Sequence, residues 1–547
     1  MNSRNGTSHR KAGSRWRGMA GVALLVGVAG GEGWAADALV SRPLLQSALI
    51  APKAEGAAVF ARLTAKNTHR RTRVAALDRT ALHAGRLRLD LFPDVVVEAE
   101  SMDIGFTGVE GRTWTGRLAD GGSAAFVMRG DRVVGSIATA KGNFQVFPLG
   151  DGLCAVVEHD PSTLPDCGTG RVLPPAELPG LRPPVVNPLD QFGPMRSRRK
   201  LAGPGEAQLA DTPTANRVRV LVAYTPGTQS RTSTFLGMTM QELVDLAILE
   251  SNQGYANSGV TQRMELAFLY ETAYDETAAI ENDVMRFRGN GDGFMDEVHA
   301  HRTNYDADMC CLIVDGTDPD WCGLAFGFDY TDAANMFQAS NFSCVTGNFT
   351  FAHEFGHNQG CRHDNDGTLT PFAYGHGFRN GNNWRTIMAV AGTSSAPRLN
   401  HWSNPNVNSP VSPFTAMGTA INGANFANDC RSALNAGDDV VVNHELTPLN
   451  ATTPVGASIA SDEVADKLVT GSLTASSFTA NAGSRVQFRA GTSISLGTGV
   501  WARQGSSFRA RLATPLGDAP AVSTLATDSS SQAEQRMETP RHPEAQR

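Results

Sequence analysis

Three things are scarce in this 547-residue chain, and each scarcity removes a class of function. Basic surplus is the first: 47 Lys and Arg stand against 54 Asp and Glu, a formal net charge of −7. A nucleic-acid binder needs cations to neutralise phosphates, so nucleic acid is not an expected partner. Long apolar runs are the second. Beyond the run Met19–Ala29, no stretch approaches the ~18 apolar residues of a membrane span, so no transmembrane anchor is expected. An acid at one key position is the third. Asn290-Gly291-Asp292-Gly293 resembles the start of a calcium loop, but no Glu stands at its twelfth position, so a turn and helix cap is expected there.

What is present describes a multidomain, exported chain. The length suits about two to four domains. Arg4, Arg10, Lys11, Arg15 and Arg17 precede the apolar run, and small residues follow at Ala35, Ala36 and Ala38. That layout reads as a bacterial-type secretory signal over residues 1–38, so an extracellular location is expected. Eight cysteines, at 154, 167, 310, 311, 322, 344, 361 and 430, then suggest disulfides.

The centre of the chain is His353-Glu354-Phe355-Gly356-His357-Asn358-Gln359-Gly360-Cys361-Arg362-His363-Asp364. His353 and His357 are four residues apart, so on a helix they share one face and can bind one metal ion. Gly360 permits a positive φ, and the turn it allows can bring His363 back as a third ligand. Three ligands leave the fourth position of one Zn²⁺ ion open for water, the catalytic arrangement, with Glu354 as general base. His376 is not at helical spacing from any of these and reads as a loop histidine.

Around this motif the chain divides. Residues 39–200 read as a β-rich unit, with Val95–Val97, Ala124–Met128, Arg132–Ile137 and Asn143–Phe147 as short strands. It ends in a Pro-rich stretch and Arg196-Ser197-Arg198-Arg199-Lys200, an exposed linker open to nicking, so a propeptide is expected. Residues 201–450 alternate strand and helix: Arg217–Tyr224, then Thr239–Ser258, Arg263–Leu269, Asp296–Tyr305 and Met309–Val314, with Phe349–Gly360 as the motif helix. That order predicts an α/β (α+β) domain with a mixed sheet. Residues 451–464 read as a polar linker, 465–514 as a small β-module, and 515–547 as a disordered tail.

The extended motif resembles the metzincin metalloendopeptidases. Met388, in Thr386-Ile387-Met388, then stands where their methionine turn lies, and Asp364 resembles the reprolysin branch. Nearest in pattern are the bacterial peptidyl-Asp metalloendopeptidases, through Asp292–His299, Cys322–Ala325, Ser343–Gly347, Trp384–Met388 and Trp402–Pro405. Val390 departs from relatives that carry Tyr two residues after the Met.

The resemblance implies a zinc endopeptidase acting on proteins or peptides, with cleavage before Asp, sometimes Glu. Such a preference needs a cation beside the scissile bond. Arg385 next to Met388 is the first candidate, then Arg379 and Arg398; Arg385 has the alternative of bracing its loop through backbone hydrogen bonds. Leu164-Pro165-Asp166-Cys167-Gly168 resembles the Cys-Gly segment with which propeptides of this class cap zinc, so Cys167 is a candidate cysteine switch. A Cys154–Cys167 disulfide is the competing reading. Cys322–Cys344 and Cys361–Cys430 are the pairs expected in the catalytic unit. In the C-terminal module, resembling small β-stacks, Phe488-Arg489-Ala490 and Phe508-Arg509-Ala510 look like an internal repeat. A surface or matrix contact, sorting and a purely structural role all stay open for it, and deletion beyond residue 450 is expected to spare peptidase activity. Two other functional readings compete: a metalloprotease of broad specificity, and a non-catalytic zinc-containing surface-binding protein.

Overall fold

The computed structural model describes residues 41–107, 111–168, 217–316, 320–392, 396–420, 427–445, 451–452 and 458–512. The signal at 1–38, the basic linker and the 515–547 tail lie outside the described residues. Among those described, no helix is long and apolar enough to cross a membrane.

Nine strands between Arg42 and His159 close into a barrel. Closure falls to the first strand, Arg42–Ser47, which pairs antiparallel with His69–Leu77 and parallel with Arg86–Phe92. Trp114, Phe126, Phe144 and Leu89 fill its interior. The opposite faces of several strands carry a second apolar set, Ala125, Val127, Val134, Ala155 and Val157, which joins the core of the next unit. Alternation along a strand that is buried on both sides explains why these strands read as almost continuously apolar.

The catalytic-unit sheet is built from β1 (Arg217–Tyr224), β2 (Arg263–Glu271), β3 (Met309–Val314), β4 (Trp321–Ala325) and β5 (Phe337–Asn341). Its order is β4-β5-β3-β1-β2, parallel except for β4, which runs antiparallel to β5 at the edge. Between the strands come α1 (Met240–Ser258), α2 (Ile280–Arg288) and α3 (Glu297–Asn304). Helix α1 starts where the sequence predicts, at a Thr239/Glu242 capping box, and stops at Gly259 with φ 70°. The tempting calcium loop is indeed a turn: the Asp296 carboxylate accepts from the backbone N–H groups of Gly291 and Gly293. Helix α4 (Thr350–Asn358) carries the His/Glu motif and is buried along its whole length, while α5 (Cys430–Val441) closes the unit.

The C-terminal part departs from expectation. Residues 451–464 are not a plain linker: Ala451–Thr452 and Ser458–Ile459 are strands, and Val464 opens a third. They form the first of three stacked rungs, each strand pairing parallel with its counterpart in the next rung. Strands of two residues with small polar side chains carry too little periodicity to be seen in sequence. The apparent Phe-Arg-Ala repeat is also out of register, since Phe508 stands opposite Val486 and Ala510 opposite Phe488. Phe478, Phe488 and Phe508 nevertheless meet inside the stack, with centroids 5.1–6.4 Å apart.

This stack is no detached bead. Val464 and Ala465 pair antiparallel with Leu269 and Phe268, so the solenoid's main sheet continues the catalytic sheet past β2. Phe268, Ala223 and Leu221 share one core with Phe478, Val486 and Phe488. Beside it the Glu265 carboxylate is bound by Arg217, Arg219 and Arg489, and Arg489 also pairs with Asp466.

Candidate active site

Helix α4 places His353 and His357 on one face, one turn apart, as their spacing requires. The chain leaves the helix through Gly360 at φ 89°, where a Cβ would stand 2.6 Å from Pro371 Cγ. His363 returns beside the other two. The three Nε2 atoms form a triangle with 3.1 Å sides.

The other ring nitrogens of His353 and His357 are held by main chain. His353 Nδ1 lies 2.7 Å from the Ile387 carbonyl, and His357 Nδ1 lies 2.8 Å from the Cys361 carbonyl. A carbonyl can only accept, so each Nδ1 carries the proton and each Nε2 presents its lone pair to the centre of the triangle. Burial keeps the imidazoles neutral: it pushes His353 and His357 well below the usual range and His363 down to about 4. The Arg398 charge contributes in the same direction at all three. Three neutral imidazoles with converging lone pairs suit a borderline-soft divalent cation, whose N-ligands sit ~2.0–2.1 Å away. The donor set fits a metal.

A fourth donor joins them. The two-residue strand Asp166–Cys167 adds in parallel to the free edge of β4, and Gly168 N–H donates to Gly323 O at 2.9 Å. Cys167 Sγ lies 3.5 Å from His357 Nε2, and the thiol faces Glu354 Oε2 at 3.4 Å. All four ligand atoms fall within 4.8 Å of one another. The Cys154–Cys167 disulfide is therefore corrected: Cys154 is a free thiol buried in the barrel, directed at the Ala75 carbonyl, while Cys167 has been carried across to the other unit. Of the two expected catalytic-unit pairs, Cys322–Cys344 is bridged. Cys361 and Cys430 are not: both are free and buried, with Cys361 Sγ turned to the Cys430 carbonyl at 3.9 Å.

Glu354 is fully buried under β4. Gly323 permits this, since a Cβ there would come within 2.8 Å of Glu354 Cγ. Met388 lies beneath the helix, and Gly356 lets it and Trp402 approach: an added Cβ would be 2.7 Å from Met388 Sδ and from the Trp402 ring. His376 stays a loop histidine, its Nδ1 3.2 Å from the His363 carbonyl and outside the donor cluster.

All three candidate arginines converge on the segment just after Met388. Arg385 and Arg398 both donate to the Ala389 carbonyl, at 2.6 and 3.3 Å, and Arg379 to the Ala391 carbonyl at 2.9 Å. Asp364, which closes the motif, accepts from Val390 N–H at 3.0 Å and pairs with Arg379 at 3.4 Å. Sequence reasoning used Asp364 only as a branch marker and missed that it fixes this wall. A cavity of about 460 Å³ lies between Ala391, Gly392, Asp320 and Trp321 on one side and Pro161–Pro165 of the barrel's trailing segment on the other.

A buried helix bearing converged imidazoles beside a sheet edge is the site of a metallopeptidase. Comparison with known proteins agrees. The model of metallo-peptidase family M12 matches residues 214–403. The peptidyl-Asp metalloendopeptidase of Xanthomonas campestris pv. campestris is 40% identical over 302 residues, covering 55% of this chain and 66% of that protein. That of Stenotrophomonas maltophilia strain K279a is 38% identical over 316 residues, 57% of this chain and 69% of that protein. A third, from Pseudomonas fragi, is 37% identical over 167 residues, 30% of this chain and 88% of that protein. The match thus spans about two thirds of the length of the first two relatives. The chain belongs to metallopeptidase family M12, alongside the peptidyl-Asp metalloendopeptidases, and is a metalloendopeptidase.

Proposed function

We propose that the chain is a secreted zinc endopeptidase, made as a latent zymogen, that cleaves peptide bonds preceding Asp or Glu. The observation that carries this reading is the 3.1 Å triangle of Nε2 atoms with the Glu354 carboxylate beside it. His353, His357 and His363 would hold the ion, and Met388 would be the methionine turn beneath it. When bound, zinc lowers the pKa of water and polarises the scissile carbonyl. Glu354 takes the proton of the attacking water and delivers it to the leaving amine. The edge of β4 around Gly323 aligns the substrate as an added strand. Glu354→Gln should retain the metal and lose turnover by ~10²–10⁴-fold. A variant with parental activity on casein, or parental activity that survives a chelator, would overturn the assignment.

In this reading residues 1–38 are the signal, 39–200 the propeptide and 201–450 the catalytic unit. Cys167 caps the site as its fourth donor, and the strand around it fills the edge that a substrate would use. Support comes from the thiol's 3.5 Å approach to His357 Nε2 and from the barrel's shared core with α1 and α4. The full-length Cys167→Ser variant should hydrolyse peptide before any cleavage of the basic linker. If it stays as latent as the parent, the thiol is not the cap. The preference for Asp rests on the relatives' names and on the arginines gathered behind Met388. A proteome-derived peptide digest with the processed form tests it, and cleavage without an acidic bias would favour the broad-specificity alternative.

A further inference from the structure

Arg379, Arg385 and Arg398 all grip the segment Ala389–Ala391, yet their surroundings separate them. Arg385 and Arg398 are both buried, 2% and 6% exposed, but Arg385 works inside its own loop, donating to the carbonyls of Ala389 and Ala396. That is the bracing alternative already foreseen for it. Arg379 is paired with the Asp364 carboxylate. Arg398 does something different. Besides Ala389 O it donates to Asn348 O at 2.8 Å, two residues before the first residue of α4. Its guanidinium therefore bridges the start of the motif helix and the segment leaving Met388. Those two elements flank the histidine triangle: α4 carries His353 and His357, and the Ile387 carbonyl next to Met388 holds His353 Nδ1.

We propose that Arg398 is the specificity-determining cation that receives the carboxylate of the substrate residue immediately following the scissile bond. The inference rests on the endopeptidase reading above and names the residue that aims it. A guanidinium presents five N–H donors in a planar fork that matches a carboxylate. The two carbonyls fix that fork between the start of α4 and the segment after Met388, so its placement does not depend on a mobile side chain. Selectivity follows because a site built around a cation loses a charge-assisted hydrogen bond when Asp is replaced by neutral Asn or Ala. The latent form grips the same place: Asn143 of the barrel donates to Arg398 O at 3.0 Å and to Gly347 O at 3.1 Å. The barrel thus clamps both chain segments that the guanidinium connects.

The test uses the processed enzyme and three peptides identical except for Asp, Asn or Ala after the scissile bond. For Arg398→Gln the Asp:Asn ratio of kcat/KM should fall by ~10–100-fold, while cleavage of the Ala peptide changes far less. Arg398→Lys keeps the charge without the fork and should give an intermediate ratio. Arg385→Gln should lower thermal stability and leave the ratio alone. A folded Arg398→Gln enzyme that cleaves the Ala peptide and keeps the parental Asp:Asn ratio would overturn the assignment. If Arg398→Gln does not fold, an Arg398→Lys ratio equal to the parent's would do the same. A parent with no preference for Asp over Asn removes the specificity reading itself, and this inference with it.

Discussion

The catalytic sheet has two edges, and the chain covers each of them in a different way. At one edge, β4 receives only the two-residue strand Asp166–Cys167, followed by one hydrogen bond from Gly168. At the other, β2 receives the solenoid strand Val464–Val469, backed by a shared apolar core and by the arginines around Glu265. The first cover is held in place from a distance. The barrel that delivers it docks through apolar packing on α1, the buried Arg129–Asp245 pair and the Arg132–Glu242 pair. An exposed edge is a template for another strand. An endopeptidase needs one such edge for its substrate and must close the other. One cover is thus two residues long and carried by the barrel, while the other continues the sheet itself.

Breaking the integral cover should have the larger effect. Deleting residues beyond 450 removes Arg489 from Glu265, uncovers the β2 edge and exposes the side of Phe268. We expect a loss of about 3–5 kcal/mol or more and a tendency to aggregate, read by denaturant unfolding and light scattering. A truncated form as stable and active as the parent would show the stack to be the dispensable appendage that its sequence suggests.

At the substrate edge the expected effect is on rate. Gly323→Ala forces a methyl group toward Glu354 Cγ and Thr350 Cγ2, within 2.8 Å of both. Turnover of the processed enzyme should drop by about 10²-fold, with a melting temperature changed far less. Equal activity would mean that β4 can shift without disturbing Glu354.

The barrel's hold on the sheet should depend gently on pH. Glu250 on α1 is fully enclosed between Gly347 and Ser136 of the barrel, and burial raises its pKa to about 8. A carboxyl whose pKa is raised by folding binds its proton more tightly in the native state. Its contribution is complete below ~4.5 and is lost as pH rises toward 8. The buried histidines titrate in the opposite sense below ~6.5, and two further carboxyls raised by burial, Asp308 to about 8 and Glu276 to about 7, share the sense of Glu250, so the slope from ~6.5 to 8 is the sum of the three. The full-length chain should melt at lower temperature at the top of that window than at the bottom. Glu250→Gln should make the trend shallower by its share; an identical slope in the variant would assign the dependence to Asp308 and Glu276.

Much of this was legible in one dimension because it depends on local spacing. The His-Glu-His face of α4, the positive φ at Gly360 and the start of α1 at Thr239 are properties of a few adjacent residues, and each stands where the sequence placed it. The alternation of strand and helix from Arg217 to Val314 predicted an α/β domain with a mixed sheet, and β1, β2 and β3 are its parallel part. The Cys322–Cys344 bridge also agrees with expectation. The misses share a cause. The first solenoid rung hides in strands of two residues, and the Phe-Arg-Ala repeat suggested a register that the stacking of Phe488 and Phe508 does not use.

The sequence by itself determined which side chains can do chemistry here: three histidines, a glutamate, a cysteine and three arginines, set by identity and local geometry. Only the tertiary structure decided how they are deployed. Cys167 could pair with Cys154 or reach the histidines, and the crossing of the chain from barrel to sheet edge chose the second. Sequence put Arg385 ahead of Arg379 and Arg398 for its place beside Met388; in the structure the three are separated by whether each meets a carboxylate, its own loop or the start of α4. The partners of Arg398 and Cys167 are 50 and 187–190 residues away along the chain. Their meeting is fixed by packing rather than by any local preference of the backbone.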